Sequence, residues 1–116
     1  MAVNYSKVYF GFLEGIQQMQ DKNLSNLDPS EEKLLHQLGL VWNKGASLTV
    51  LEGMALIPSV SIGTAHRRLK ALRKKGFLDL AQDSRDHRVK YIVPTPQAGD
   101  YFLALGDCLK TAVRAL

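Results

Sequence analysis

Residues 61–76 read S-I-G-T-A-H-R-R-L-K-A-L-R-K-K-G, and the fold turns on that stretch. Ile62, Ala65, Leu69 and Leu72 recur at spacings of three and four, so they share one face of a helix. Arg67, Arg68, Lys70, Arg73, Lys74 and Lys75 fall largely outside that stripe. Gly76 is placed to end the helix, because glycine adopts a positive φ without steric cost. Two short β-like runs follow, 77–81 and 89–93, joined by Q-D-S-R-D-H-R at 82–88. A basic helix is therefore expected to lead into a hairpin with two arginines at its tip.

The charge distribution sharpens this reading. Residues 66–90 hold nine Lys/Arg against three acids, a net of +6. The rest of the chain holds six against eight, a net of −2, so the overall +4 is one basic zone on a mildly acidic protein. A localised zone of this sign is the footprint of a polyanion binder. A basic helix end is also favoured by the helix dipole and can be a merely solvated face. The basic hairpin after the helix tips the balance towards nucleic acid.

At 116 residues the chain is expected to form one domain, 1–116, with a real core. No apolar run approaches the ~20 residues that span a bilayer. The start, M-A-V-N-Y-S-K, lacks the basic and apolar pattern of a signal peptide. A single cysteine makes no internal disulfide and fits a reducing cytoplasm. No internal repeat or low-complexity tract is visible.

In chain order, residues 4–22 read as a helix through Tyr5, Val8, Tyr9, Phe12, Leu13, Ile16 and Met19. Gly11 and Gly15, four apart, would let another helix approach closely. A loop is expected at 23–27. Asp28-Pro29-Ser30-Glu31 is a strong helix start, with Asp28 as cap, Pro29 at the first helical position and Glu31 at the third. Leu34, Leu35, Leu38, Val41 and Trp42 form its expected buried stripe, and 43–45 stop it. A short strand is expected at 46–48, pairing with the later hairpin.

Thr49-Val50-Leu51-Glu52 is a second capping box. It opens a short helix to about residue 56, expected to be buried through Val50, Leu51, Met54 and Ala55. Pro58 breaks it, and Ser61 can cap the basic helix. A short helix, a break and a longer basic helix make a helix-turn-helix over 49–75, with 77–93 as its wing. Ala98, Tyr101, Phe102, Leu105, Leu109, Ala112, Val113 and Leu116 give a last helix, 97–115, a broad apolar stripe. The fold class is mainly α with a small β-hairpin wing: a winged helix-turn-helix with a helix added at each end.

With these residues in view, the chain resembles the MarR family of bacterial transcription regulators from about residue 27 to 101. L-D-P-S-E-E-K-L-L at 27–35 looks like the family's L-T-P-x-Q-x-x-x-L. L-R-K-K-G-F-L at 72–78 is similar to its L-E-x-K-G-L-V. D-S-R-D-H-R at 83–88 matches its D-x-R-D-x-R wing tip, and the strand and P-T-P-Q-A-G after it stand where the family has a strand and L-T-x-x-G. Two departures stand out. One helix follows the wing where the family usually has two, and I-P-S-V at 57–60 replaces L-G-L-S. The resemblance implies a symmetric dimer held by the terminal helices, a recognition helix in the major groove and a wing in the adjacent minor groove.

The expected partners are thus double-stranded DNA and a second copy of the chain, with no membrane and no cofactor. No residue specifies the chemistry of any small-molecule effector. DNA contacts are expected from Ser61, Gly63, Thr64, His66, Arg67, Lys70, Arg73, Lys74, Arg85 and Arg88. Among these, Arg67 suits paired hydrogen bonds to guanine. Thr64 and His66 suit bases or phosphates, and Gly63 permits close approach. Lys70, Arg73 and Lys74 suit phosphates, which position without specifying. Ser61 is better read as a cap, and Arg68 and Lys75 as solvated spectators. Arg85 and Arg88 suit the minor groove, Asp86 would pair with a nearby arginine, and Asp83 would form a local turn. Tyr5, Phe12, Ile16, Met19, Tyr101, Leu105, Leu109 and Ala112 are the expected dimer contacts, within and between chains.

Other functions find less support. His36, His66 and His87 show no metal spacing. Cys108 lies in an apolar helix without an obvious activating base, and reads as a structural thiol rather than a redox sensor. No phosphate loop, nucleophile elbow or carboxylate pair argues for an enzyme. Two alternatives to a transcription regulator remain: a winged-helix module that binds protein, and a replication or element-maintenance protein that binds DNA.

Overall fold

A computed structural model describes residues 3–21 and 26–116. The element order is α1 (Tyr5–Asp21), α2 (Pro29–Asn43), β1 (Leu48–Thr49), α3 (Val50–Met54), α4 (Ile62–Lys74), β2 (Leu78–Gln82), β3 (Lys90–Pro94) and α5 (Pro96–Arg114). This is the winged helix-turn-helix order with a helix at each end. The expected end of the first helix at residue 22, and residues 23–25 of the loop expected at 23–27, lie outside the described residues. The chain divides into two compact units, one of residues 27–98 and one holding α1 with residues 99–116. None of its described helices is long and apolar enough to cross a membrane.

In the 27–98 unit the helix starts follow local chemistry. Asp28 accepts from the Glu31 N–H at 2.8 Å while Glu31 accepts from the Asp28 N–H at 3.0 Å. Thr49 and Glu52 form the same reciprocal box at the start of α3. Each box satisfies donors that a helix start otherwise leaves to water. The Thr49 N–H lowers the Glu52 carboxyl below its ordinary value. Gly45, at φ 77°, lies just beyond α2, and Gly76, at φ 90°, just beyond α4.

Three strands in the order β1-β3-β2 form an antiparallel sheet, with Leu48 and Leu80 both opposite Ile92. The first strand lies one to two residues later than the sequence suggests, and both wing strands one residue later. Ile92 is the centre of the packing. It is fully buried together with Leu35, Leu38, Leu72 and Phe77, and its carbonyl accepts from the Trp42 indole at 3.2 Å. A Cβ on Gly53 would stand 2.3 Å from the Ile92 Cδ1. A side chain there would force the Ile92 terminal methyl to move, so glycine lets α3 lie close on the sheet.

That close approach explains a correction. The stripe expected for α3 was Val50, Leu51, Met54 and Ala55. Instead Gly53 and the following Ile57 are buried, Leu51 and Ala55 are exposed, and Val50 and Met54 are half-buried. A five-residue helix seated through its glycine buries none of its larger side chains fully and leaves Leu51 exposed.

In the other unit α1 and the later part of α5 approach closely. A Cβ on Gly11 would meet the Ala112 Cβ at 3.3 Å, and one on Gly15 the Cys108 Cβ and Sγ at 3.0 Å. The two glycines thus serve the close approach expected of them. The Cys108 thiol donates to the Met19 sulfur at 3.6 Å. Met19, Tyr101 and Ala112 are buried.

Candidate nucleic-acid interface

Helix α4 has two faces of opposite character. Ala65, Leu69 and Leu72 are buried. Gly63, His66, Arg67, Lys70, Arg73 and Lys74 are exposed, and Thr64 is half-buried. Ile62 departs from the expectation: it is 66% exposed and does not join the buried stripe. It is the first residue of the helix, and the packed face begins three residues later, at Ala65.

The start of α4 is ordered by a short chain of hydrogen bonds. The Ser61 hydroxyl accepts from the Thr64 N–H at 3.2 Å and donates to the Thr64 hydroxyl at 2.9 Å. The Thr64 hydroxyl accepts in turn from the Arg67 guanidinium at 3.1 Å. Ser61 is occupied as the cap, as its position suggested. Arg67 is held along the helix surface, which reduces the rotamer freedom a long side chain loses when it binds a ligand.

The end of α4 is tied down by residues far away in sequence. The Lys75 ammonium donates to Glu31, a pair in which Glu31 is almost wholly buried. The Lys75 carbonyl accepts from the Gln97 amide at 3.0 Å. The Gly76 carbonyl accepts from the Thr95 hydroxyl at 2.6 Å, and that hydroxyl accepts from the Ala98 N–H at 3.2 Å. Thr95 and Gln97 thereby satisfy carbonyls that the end of a helix leaves open. Lys75 is therefore a structural clamp and not a solvated spectator. Sequence reasoning missed Glu31, Thr95 and Gln97 in this role because no local pattern marks partners 19 to 44 residues apart.

The wing tip is built around two aspartates. Asp83 accepts from the Arg85 N–H at 2.7 Å, the Asp86 N–H at 3.2 Å and the Tyr91 hydroxyl at 3.1 Å. The Arg85 and Asp86 N–H groups and then the Tyr91 hydroxyl hold the Asp83 carboxyl below its ordinary value, and Asp83 raises Tyr91 in return. Asp86 accepts two bonds from the Arg88 guanidinium, at 3.1 and 3.2 Å, and one from the Arg88 N–H at 3.0 Å. The Arg88 side chain, followed by its backbone, lowers the Asp86 carboxyl. Both aspartates thus take the turn-forming roles expected of them. Arg88 is committed to Asp86, whereas Arg85 is exposed and has no ion-pair partner among the described residues. On α4, Arg73 makes a looser, exposed pair with Asp79 at 3.5 Å.

The expected dimer residues scatter more widely. Tyr5 and Leu109 are exposed; Phe12, Ile16 and Leu105 are half-buried; and Met19, Tyr101 and Ala112 are buried within the chain. Tyr9, Phe10, Leu103 and Val113 are large apolar side chains left exposed on the same two helices. Among the described residues no group of three or more His, Cys, Asp or Glu could hold a metal ion.

No protein-family model and no curated protein matches the chain by sequence. Solved structures match it by fold. A transcriptional regulator from Thermotoga maritima aligns with a TM-score of 0.67 at 17% identity, over 92% of this chain and 70% of its own. MepR of S. aureus, in a mutant form bound to an oligodeoxyribonucleotide, aligns with a TM-score of 0.65 at 17% identity, over 98% and 82%. A MarR-like transcriptional regulator from Thermotoga maritima gives 0.64 at 13%, over 98% and 81%. The chain has a MarR-like winged-helix fold.

Proposed function

We propose that the chain is a sequence-specific, duplex-DNA-binding transcription regulator that acts as a homodimer. It lays α4 in the major groove and the tip of the wing in the adjacent minor groove. The observation that carries this reading is the uncovered face of α4, where exposed Arg67, Lys70 and Lys74 lie opposite the buried stripe and exposed Arg73 flanks it. A helix fits the major groove, and a row of cations meets its phosphate walls. The fold is shared with MepR of S. aureus, solved bound to an oligodeoxyribonucleotide, which agrees with this use of the helix.

Arg67 hydrogen-bonds a guanine edge, with Thr64, His66 and the open surface at Gly63 beside it. Lys70, Arg73 and Lys74 hold phosphates, and the Arg73–Asp79 pair yields readily because exposed pairs are worth at most ~1 kcal/mol. Arg85 enters the minor groove, while Arg88 acts through the shape of the tip. Tyr5, Tyr9, Phe10, Leu109 and Val113 leave apolar surface that a second copy would cover.

The test is selection of duplexes from a random pool, followed by titration over a range of salt. Three phosphate-binding cations on α4 and Arg85, in each of two protomers, give a slope of about −7 in log K against log salt. Light scattering should give twice the chain mass at micromolar concentration. Affinity for duplexes that ignores salt, or a monomer throughout, would remove this reading.

A further inference from the structure

The structure leaves one large apolar side chain exposed at the start of α4, before its packed stripe begins. Ile62 is 66% exposed at the first position of the helix, one turn before His66 and beside Gly63. Nothing lies within 4 Å of where a Gly63 Cβ would stand, so the surface next to Ile62 is open. Being β-branched, isoleucine keeps essentially one χ1 rotamer in a helix, which makes it a stiff probe.

On the reading of α4 as a major-groove helix, on which this inference rests, the first turn of the helix faces base edges. Those edges are hydrogen-bonding groups with one apolar exception, the 5-methyl group of thymine. We infer that Ile62 is a specificity-determining residue that selects thymine by packing on this methyl. Arg67 is five residues further on, roughly 7.5 Å along the axis at ~1.5 Å per residue. One base pair spans about 3.4 Å. The thymine therefore falls in the same half-site as the guanine that Arg67 reads.

Deoxyuridine supplies the test, since it keeps thymine's hydrogen-bonding edge and lacks only the methyl. Duplexes are selected with the unaltered protein. Each thymine of the selected site is then replaced singly by deoxyuridine, and both the protein and Ile62→Ala are titrated against every duplex. At one position in each half-site the protein should lose roughly fourfold in affinity, the value of one buried methyl. Ile62→Ala should bind the thymine and deoxyuridine forms of that position equally. Ile62→Val, which retains the branch, should keep part of the preference. Because the side chain is exposed, thermal melting of all three proteins should agree.

Deoxyuridine replacements that are all neutral for the unaltered protein would overturn the inference. So would losses of equal size in Ile62→Ala. Salt-dependent, selective binding that is blind to the methyl would remove only the role of Ile62. Failure to bind any duplex would remove the DNA reading and this inference with it.

Discussion

Helix α4 and the wing tip carry the same kind of charge and use it differently. On α4 the cations stand on a helix whose start is capped and whose end is clamped by Glu31, Thr95 and Gln97. They are positioned by the scaffold, and among the described residues only Arg73 shares an exposed ion pair with a neighbouring acid. The wing tip has no core beneath it, so its own charges make its shape: Asp83 gathers the turn and Asp86 takes Arg88. A charge count weighs the two regions alike. The arrangement of partners differs: on α4 most of the cations are exposed and outside the ion pairs of the described residues, while at the tip Arg88 is held by Asp86 and Arg85 is not.

The contrast is broken most severely by cutting the clamp. Lys75→Ala leaves the almost buried Glu31 without its cation. Hydrogen bonds to charged groups are worth about 1.5–3 kcal/mol, and we expect a stability loss of that size in urea unfolding. The tip should keep its own bonds, visible as an unchanged environment of the Tyr91 ring. Loss at the tip of the same size would mean that the two regions are not independently held.

Next in size is the reading arginine. Arg67→Ala should cost about 1–3 kcal/mol on a selected duplex and much less on a scrambled one, with preference relaxed at one or two positions. Lys74→Ala should weaken both duplexes alike and lower the salt slope by about one per protomer. Equal losses on both duplexes for Arg67→Ala would make Arg67 a positioning residue of the same kind as Lys74.

Arg85→Ala should cost about 1 kcal/mol, at the low end for a DNA-contacting side chain, and leave the melting temperature unchanged. Asp86→Asn tests the other tip arginine. It removes an acid and loosens Arg88, so affinity for scrambled duplexes should rise a few-fold while discrimination falls. If it instead weakens scrambled binding, Arg88 already reaches DNA from its pair.

The smallest effect is on pH. The Asp83 and Asp86 carboxyls lie below their ordinary 3.8 because N–H, O–H and guanidinium donors favour the charged form. A depressed carboxyl contributes stability above its unfolded value and loses it as pH falls through its folded value. The tip should therefore remain intact through pH 4 and open only below the ordinary range. NMR of the Tyr91 ring and the Arg85 amide would follow it, and opening between pH 5 and 6 would contradict the assigned bonds.

These differences also show what a sequence makes legible. The caps at Asp28, Thr49 and Ser61 and the turn at Asp83 were readable because donor and acceptor lie within three residues. The stripe of α4 was readable from Ala65 onward, where helical periodicity and packing coincide. Ile62 was misread because periodicity extends to a helix end whether or not a neighbour covers it. Leu51 and Ala55 were misread because the seat of α3 is Gly53, which carries no hydropathy signal. The Lys75 clamp was unreadable because its partner is 44 residues away. The MarR-like fold was thus written mainly in short-range patterns, whereas the division of cations between structure and ligand depends on long-range ones.

On the proposed reading, α4 occupies the major groove of duplex DNA in two symmetry-related places. Dimethyl sulfate reports on it directly, since it methylates guanine N7 in the major groove and adenine N3 in the minor groove. On a selected duplex the protein should shield guanine N7 in two clusters centred about 10 base pairs apart, and shield adenine N3 in the flanks where the wing tips enter. Arg67→Ala should lose N7 shielding at one guanine in each cluster and retain the flanks. Protection confined to adenine N3, with every guanine N7 left reactive, would mean that α4 does not enter the major groove.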